Sequence, residues 1–198
     1  RIVQAGNSIG GAISQDGRFV AAQNYQPGGV RIFDAATLEP VATIAASYGT
    51  TGQTSKLVGL ADAPGVGFVF ALFDAGEIWV ADLSVNPAQP RVTRYANVGK
   101  QPYDGLITPD GRYYLAGLFG EDGLAMLDLW QPERGVQKVL AGYGRGEEPL
   151  PVFKMPHLRG WAVAGRHAYL PAIGRHEVLV VDTDTWAEVG RIAVAGQP

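Results

Sequence analysis

The sequence contains no cysteine. Disulfides, thiolate metal sites and cysteine nucleophiles are therefore excluded, while the compartment stays open, because many periplasmic proteins also lack this residue. No run approaches the ~18 apolar residues of a membrane-spanning helix, and no stretch carries a sustained helical period with caps. Histidine is scarce, with three copies, and no two of them have the spacing of a metal motif. Charge of one sign is not in excess either: the formal net charge of -3 argues against broad electrostatic binding to nucleic acid. "GLFGEDG" has neither phosphate-loop spacing nor a lysine, and no serine sits in a nucleophile-elbow context. No lipidation or targeting signal is present, and because the chain begins at Arg1 rather than Met, an upstream segment is expected to have been removed.

What is present is apolar sequence cut by turns. Of the 198 residues, 46% are hydrophobic, which fits a packed globular chain, and the 27 glycines and 13 prolines point to many short elements. "QDGRFVAA" and "PDGRYYLAG" are two copies of one turn and strand, with Asp-Gly at the turn because glycine tolerates positive φ. Sixteen residues separate Arg18 from Asp34, Arg112 from Asp128 and Arg166 from Asp182. Asp82 ends a fourth apolar strand in "EIWVAD", so the four aspartates recur at spacings of 48, 46 and 54 residues. Each unit holds four apolar runs; in the first they are 9–14, 19–24, 30–34 and 41–46. Tandem four-stranded antiparallel units of this length are the signature of β-propeller blades. A β-sandwich is the rival all-β fold, but it does not predict a constant sixteen-residue offset.

The expected blades span roughly 7–46, 57–98, 102–141 and 160–194, with an enlarged inter-blade loop at 142–160. "RIVQAG" at the start matches "RIAVAG" near the end, and "VGKQP" matches the final "VAGQP". Read this way, residues 1–198 form a partial propeller cut from a longer ring.

In such a ring, the connections between blades and those from second to third strand share one face, where ligands usually bind. They are expected at 45–56, 100–104 and 142–160, and at 24–29, 73–76, 119–123 and 172–177. The long loop carries three prolines and four glycines within residues 142–161, together with His157. Loops of this length in compact domains are usually functional or disordered, and the prolines favour an ordered lid. His157 reads either as an acid/base group or ligand near the axis, or as a loop histidine bonded to a backbone carbonyl. His176 lies on a short connection of the same face, and His167 on the opposite one. Arg145, Lys154, Arg159, Arg175 and Lys56 gather on the candidate face, where guanidinium groups suit carboxylates. They also read as a solvated surface balanced by Glu147 and Glu148. Tyr103 and Asp104, at the start of an innermost strand, could touch a ligand, as could Trp161. Tyr25 and Phe119 could contribute from the rim or simply fill space.

"GEIWVADL", "VGKQPYDGLITPDGRYYLAGLFGEDGLAMLDLW", "GYGRGEEPLPVFKMPHLRGW" and "GRHEVLVVDT" closely resemble the NirF family of haem d1 biosynthesis proteins of denitrifying bacteria. The resemblance covers essentially all 198 residues and is specific from Gly76 onward. The segment "NYQPGGVRIFDAATLEP" also looks like the related haem-d1 domain of dissimilatory nitrite reductase. That kinship implies an eight-bladed propeller, of which this chain is about half, holding a modified tetrapyrrole at one mouth of its axis. "PHLRG" is similar to the reductase segment that places a distal histidine over the iron, which makes His157 the candidate distal acid/base residue or iron ligand. A second distal histidine of the reductase has no counterpart here, since the matching segment reads "QPYDG" with Tyr103 and Asp104. This departure favours the biosynthetic relative over nitrite reduction. The family's proximal iron ligand would lie upstream of Arg1.

The resemblance thus implies a periplasmic maturation protein binding a late haem d1 precursor, dihydro-haem d1 or similar. It would modify the pigment or deliver it to nitrite reductase, in contact with that enzyme and a related d1-binding dehydrogenase. It would have no nucleic-acid partner, and a homodimer is open. Whether it catalyses a step, an oxidoreduction or side-chain modification, is left open as well. Within this reading His157 and Asp104 would move protons. Tyr103, Arg145, Arg159, Arg175, His176, Lys56 and Trp161 would contact the pigment. The alternatives are a non-enzymatic propeller scaffold that binds a protein partner, and a fragment of a haem-d1 nitrite reductase.

Overall fold

A computed structural model describes residues 2–144, 162–196 and 198. The described residues are all-β, apart from two short 3-10 turns at Pro132–Arg134 and Ile173–Arg175. The first sheet is built from β1 (Ser8–Ile13), β2 (Phe19–Asn24), β3 (Gly29–Asp34) and β4 (Pro40–Ala45). A two-stranded hairpin follows, β5 (Ser47–Tyr48) with β6 (Gln53–Thr54). The second sheet holds β7 (Leu57–Ala63), β8 (Gly67–Leu72), β9 (Glu77–Asp82) and β10 (Arg91–Tyr95). The third holds β11 (Pro102–Ile107), β12 (Tyr113–Leu118), β13 (Leu124–Asp128) and β14 (Val136–Val139). The fourth holds β15 (Ala162–Ala164), β16 (His167–Ala172), β17 (Glu177–Asp182) and β18 (Ala187–Ala193). In each, consecutive strands pair antiparallel in a simple meander.

The sheets stack face to face, and the sequence shows why. Strand β8 reads "GFVFAL" and is buried along its whole length, because both of its faces are covered. Side chains alternate across a strand. Phe68, Phe70 and Leu72 therefore join Phe19, Val30 and Ile32 of the first sheet, while Val69 and Ala71 join Tyr114, Ala116 and Leu127 of the third. The third sheet repeats the pattern, turning Leu115 and Met126 toward Leu170, Leu179 and Trp186 of the fourth. Each fully buried large apolar side chain contributes about 1.5–3 kcal/mol. The first strands lie side by side, with β7 packed against both β1 and β11. This is the arrangement of propeller blades around an axis.

The sixteen-residue offset is a hairpin register. Phe19 pairs with Asp34, Tyr113 with Asp128 and His167 with Asp182, each directly after the arginine of the turn. Arg112 and Arg166 then bond the aspartate Oδ2 at 2.8 and 2.7 Å. In the first sheet the offset survives without that ion pair, since the Arg18 side chain turns back onto Asp16 at 2.8 Å. In the second sheet Val66 occupies the arginine position, and Arg91 of β10 reaches Asp82 Oδ2 instead, at 2.8 Å. The other carboxylate oxygen caps the following turn, as where Asp182 Oδ1 accepts the N–H groups of Asp184 and Thr185 at 3.0 Å. One match between the termini does not extend to conformation. The "RIAVAG" segment contributes to β18, whereas residues 2–5 form no strand. A strand exists through its ladder: β18 pairs with β17, while at the start of the chain the Gln4 carbonyl accepts from the Arg31 guanidinium at 3.1 Å.

Candidate functional site

Among the described residues, the connections between the first three sheets and the turns from second to third strands emerge at one end of the stack, tied together by a repeated backbone bond. In these three sheets the residue after the second strand donates its N–H to the residue before the first strand. Tyr25 donates to Asn7 at 3.1 Å, Phe73 to Lys56 at 2.9 Å and Phe119 to Gln101 at 2.9 Å. The same repeat position is thus aromatic three times. Phe73, Tyr103 and Phe119 form a triangle with ring centroids 5.8, 6.0 and 6.1 Å apart. Tyr25 is half-buried against the same core. Burial, together with neighbouring Tyr25 and Asp104, pushes the Tyr103 phenol above its ordinary value.

Tyr103 and Asp104 are delivered by a β-bulge. The β11–β12 register shifts between Pro102 and Gly105. Equivalent shifts interrupt β1 between Ser8 and Gly10, and β7 between Val58 and Ala61. Bulges re-aim side chains out of the ladder and recur beside functional sites. The bulge also brings blades into close contact. Gly105 lies so near Gly59 that a Cβ on it would stand 2.5 Å from the Gly59 carbonyl oxygen.

Lys56 sits at the rim of the aromatic triangle, its Nζ 4.8 Å from the centre of the Phe73 ring. Asp74 holds it at both ends: Oδ1 accepts from Nζ, and Oδ2 from the Lys56 backbone N–H, each at 2.8 Å. The hydrogen bond to Asp74 raises the Lys56 ammonium above the ordinary lysine value. Burial works against the Asp74 carboxylate, but the Lys56 bonds outweigh it and hold it below the usual carboxylate range. Buried Ser55 orders the turn, its Oγ accepting from the Asp74 N–H at 2.9 Å. Two open depressions flank this pair. One of about 390 Å³ is lined by Gln26, Pro27, Thr54, Lys56 and Asp74. Another of about 440 Å³ lies among Asp74, Gly76, Gly99, Lys100, Gln101 and Gly120.

The sheets on either side are less crowded with chemistry. Arg175 and His176 are exposed at the β16–β17 turn, where His176 adopts the left-handed conformation with φ 55°. Arg175 borders a separate cavity of about 350 Å³ that runs between the third and fourth sheets past Tyr143 and Trp186. His167 opens β16 at the opposite end, paired with Asp182. Arg145, Lys154, His157, Arg159 and Trp161 lie outside the described residues. Among the described residues no group of three His, Cys, Asp or Glu side chains could hold a metal ion.

Of the sequence candidates, Lys56, Tyr103, Tyr25 and Phe119 thus meet on one face, with Asp104 in the adjoining bulge. Two contributors, Phe73 and Asp74, are not among the sequence candidates. Phe73 carried a usable signal: Tyr25, Phe73 and Phe119 recur at 48 and 46 residues, the spacing of Asp34, Asp82 and Asp128. Asp74 carried none, because the equivalent positions hold Gln26, Gly120 and Gly174.

The stacked four-stranded sheets define a propeller, one end of which gathers the aromatic rings and Lys56. The chain belongs to the cytochrome D1 heme domain family, whose model matches residues 1–198. It is 62% identical to Protein NirF of Pseudomonas aeruginosa over 200 residues, covering 100% of this chain and 50% of that protein. Protein NirF of Stutzerimonas stutzeri is 56% identical over 199 residues, 100% of this chain and 51% of the relative. The chain therefore spans about half the length of these relatives. Among solved structures, the dihydro-heme d1 dehydrogenase NirN in complex with DHE superposes with a TM-score of 0.75 at 29% identity, over 96% of this chain and 39% of that one.

Proposed function

We propose that the chain is about half of an eight-bladed periplasmic propeller that binds a late haem d1 precursor, dihydro-haem d1 or similar, at one mouth of its axis. In this reading the protein modifies the pigment or delivers it to nitrite reductase, in contact with that enzyme and a related d1-binding dehydrogenase. The observation that carries the reading is the Phe73–Tyr103–Phe119 triangle beside Lys56, on the face where the inter-blade connections converge. Aromatic faces suit a conjugated macrocycle and cations suit its carboxylates. Family membership and the NirF and NirN likenesses support this ligand class.

Within this reading Tyr103 contacts the ring edge, and Arg175, Arg145, Arg159 and Lys56 hold carboxylates. His176 and Trp161 border the pigment. His157 gives or takes a proton above the ring or ligates its iron, with Asp104 as helper. Titration of the full-length protein with haem d1 or its dihydro precursor, followed by absorption, tests the assignment. A saturable spectral change at micromolar ligand is expected. An unchanged spectrum removes the pigment from the reading. Replacing His157 by Ala is expected to alter the bound spectrum or the turnover, and if both stay the same its role falls.

A further inference from the structure

Among the described residues no other sheet pairs an ammonium with a carboxylate at these two repeat positions, although in the third sheet Glu121 Oε1 accepts the Lys100 backbone N–H at 3.1 Å and Glu121 Oε2 meets Lys138. Asn7 and Gln101 stand where Lys56 does, and Gln26, Gly120 and Gly174 where Asp74 does. The first and third sheets nevertheless make the same inter-strand backbone bond, Tyr25 to Asn7 and Phe119 to Gln101. The first sheet, with Asn7 and Gln26 at the two positions, therefore forms this bond without either charge. Both side chains are only partly shielded, at 26% and 33% exposure, and the ammonium lies against the Phe73 ring that begins the aromatic triangle. A pair this exposed is weak, and a competing anion can displace one member at little cost. A lysine beside an aromatic wall, held in place by an expendable carboxylate, is built for exchange.

We propose that Asp74 is a specificity-determining placeholder: a carboxylate on the rim of the bound macrocycle replaces Asp74 on the Lys56 ammonium, so that Asp74 tunes affinity for acidic tetrapyrroles. The proposal rests on the tetrapyrrole-binding reading above. In this structure Asp74 neutralises the Lys56 ammonium, which lies 4.8 Å from the centre of the Phe73 ring. On binding, two carboxylates cannot share one ammonium without repulsion, so the ligand competes with Asp74. The backbone N–H of Lys56 still holds Asp74 Oδ2, which keeps the turn formed while the ammonium changes partner.

The test uses the full-length protein with coproporphyrin, a porphyrin bearing four carboxylates, and its tetramethyl ester, followed by fluorescence. Asp74→Asn keeps an acceptor for the backbone N–H and removes the competing charge. It is expected to lower the Kd for coproporphyrin about two- to fivefold, in line with an exposed pair, and to leave the ester unchanged. Lys56→Met is expected to weaken coproporphyrin by a similar factor, and the double variant to bind no better than Lys56→Met alone. Weaker or unchanged binding by Asp74→Asn overturns the exchange. So does a gain that persists in the Lys56→Met background, because that gain is general electrostatics. If the unsubstituted protein binds neither coproporphyrin nor haem d1, the functional reading fails and this inference with it. If it binds and the variants do not behave as described, the inference fails alone.

Discussion

The Tyr114 hydroxyl, fully buried on the second strand of the third sheet, donates a hydrogen bond to the Gly59 carbonyl of the second sheet at 2.7 Å. Gly59 takes φ +61°, and a Cβ placed on it would stand 2.6 Å from the Gly105 nitrogen. The hydrogen bond seats β12 on the bulge of β7, and the close approach of Gly59 to Gly105 brings that bulge against the one in β11 that carries Tyr103 and Asp104. Positioning of the candidate site thus depends on a bond between blades rather than within one.

Tyr114→Phe is expected to destabilise the full-length protein by about 1–3 kcal/mol, because the Gly59 carbonyl loses its donor in a dry environment. Urea unfolding, read as a fall in midpoint at constant slope, checks this. An unchanged midpoint would show that the hydroxyl bond carries no net stability.

Gly105→Ala is expected to cost more than Tyr114→Phe, with overpacking of about 1–3 kcal/mol added to backbone displacement. The new Cβ would clash with the Tyr114 hydroxyl and stand 2.5 Å from the Gly59 oxygen. Removing the hydroxyl relieves only the first clash, so the double variant should recover part of the loss. Strict additivity of the two substitutions would contradict the shared contact.

Asp128 makes stability depend on acid pH. Burial raises its carboxyl, but the bonds from Arg112 and from the Trp130 and Gln131 backbone outweigh this and lower it beneath the ordinary value of 3.8. A depressed folded-state value means the unfolded chain binds the proton first. The contribution is therefore complete above the ordinary value and is lost as pH falls through the lower folded one. Asp128→Asn should reduce the slope of unfolding midpoint against pH in the acid range below about pH 4, and leave the slope near neutrality unchanged. An unaltered acid slope would count against this assignment.

Phe119→Ala should separate binding from folding. Its side chain is 38% exposed, so stability is expected to fall by no more than about 1 kcal/mol. Its edge of the aromatic triangle would be lost, and Kd for haem d1 is expected to rise about three- to tenfold, the scale of one aromatic contact. Equal losses in melting and binding would make Phe119 merely structural.

The repeat was readable because a hairpin is local. Arg112 and Asp128 stand sixteen residues apart in the chain, and antiparallel pairing of β12 with β13 alone converts that interval into contact. The same locality made the all-β fold and its four-stranded units legible. Departures inside the repeat were not: Arg18 and Arg91 show that the aspartate's partner changes from sheet to sheet while the register holds. On the candidate face, Tyr103 and Lys56 could be assigned to connections from strand order, and the recurrence of Tyr25, Phe73 and Phe119 was present in the spacing.

Strand period, turn chemistry and repeat length act over a few residues, so the amino-acid order was enough to determine the blades and which turns share an end. Which side chains meet there depended on how neighbouring blades stack. The bulges in β7 and β11, the seating of Tyr114 on Gly59 and the pairing of Lys56 with Asp74 all join residues far apart in the chain. Such contacts arise from packing between sheets, which no local pattern encodes, and that is why the partner held by Lys56 became visible only in three dimensions.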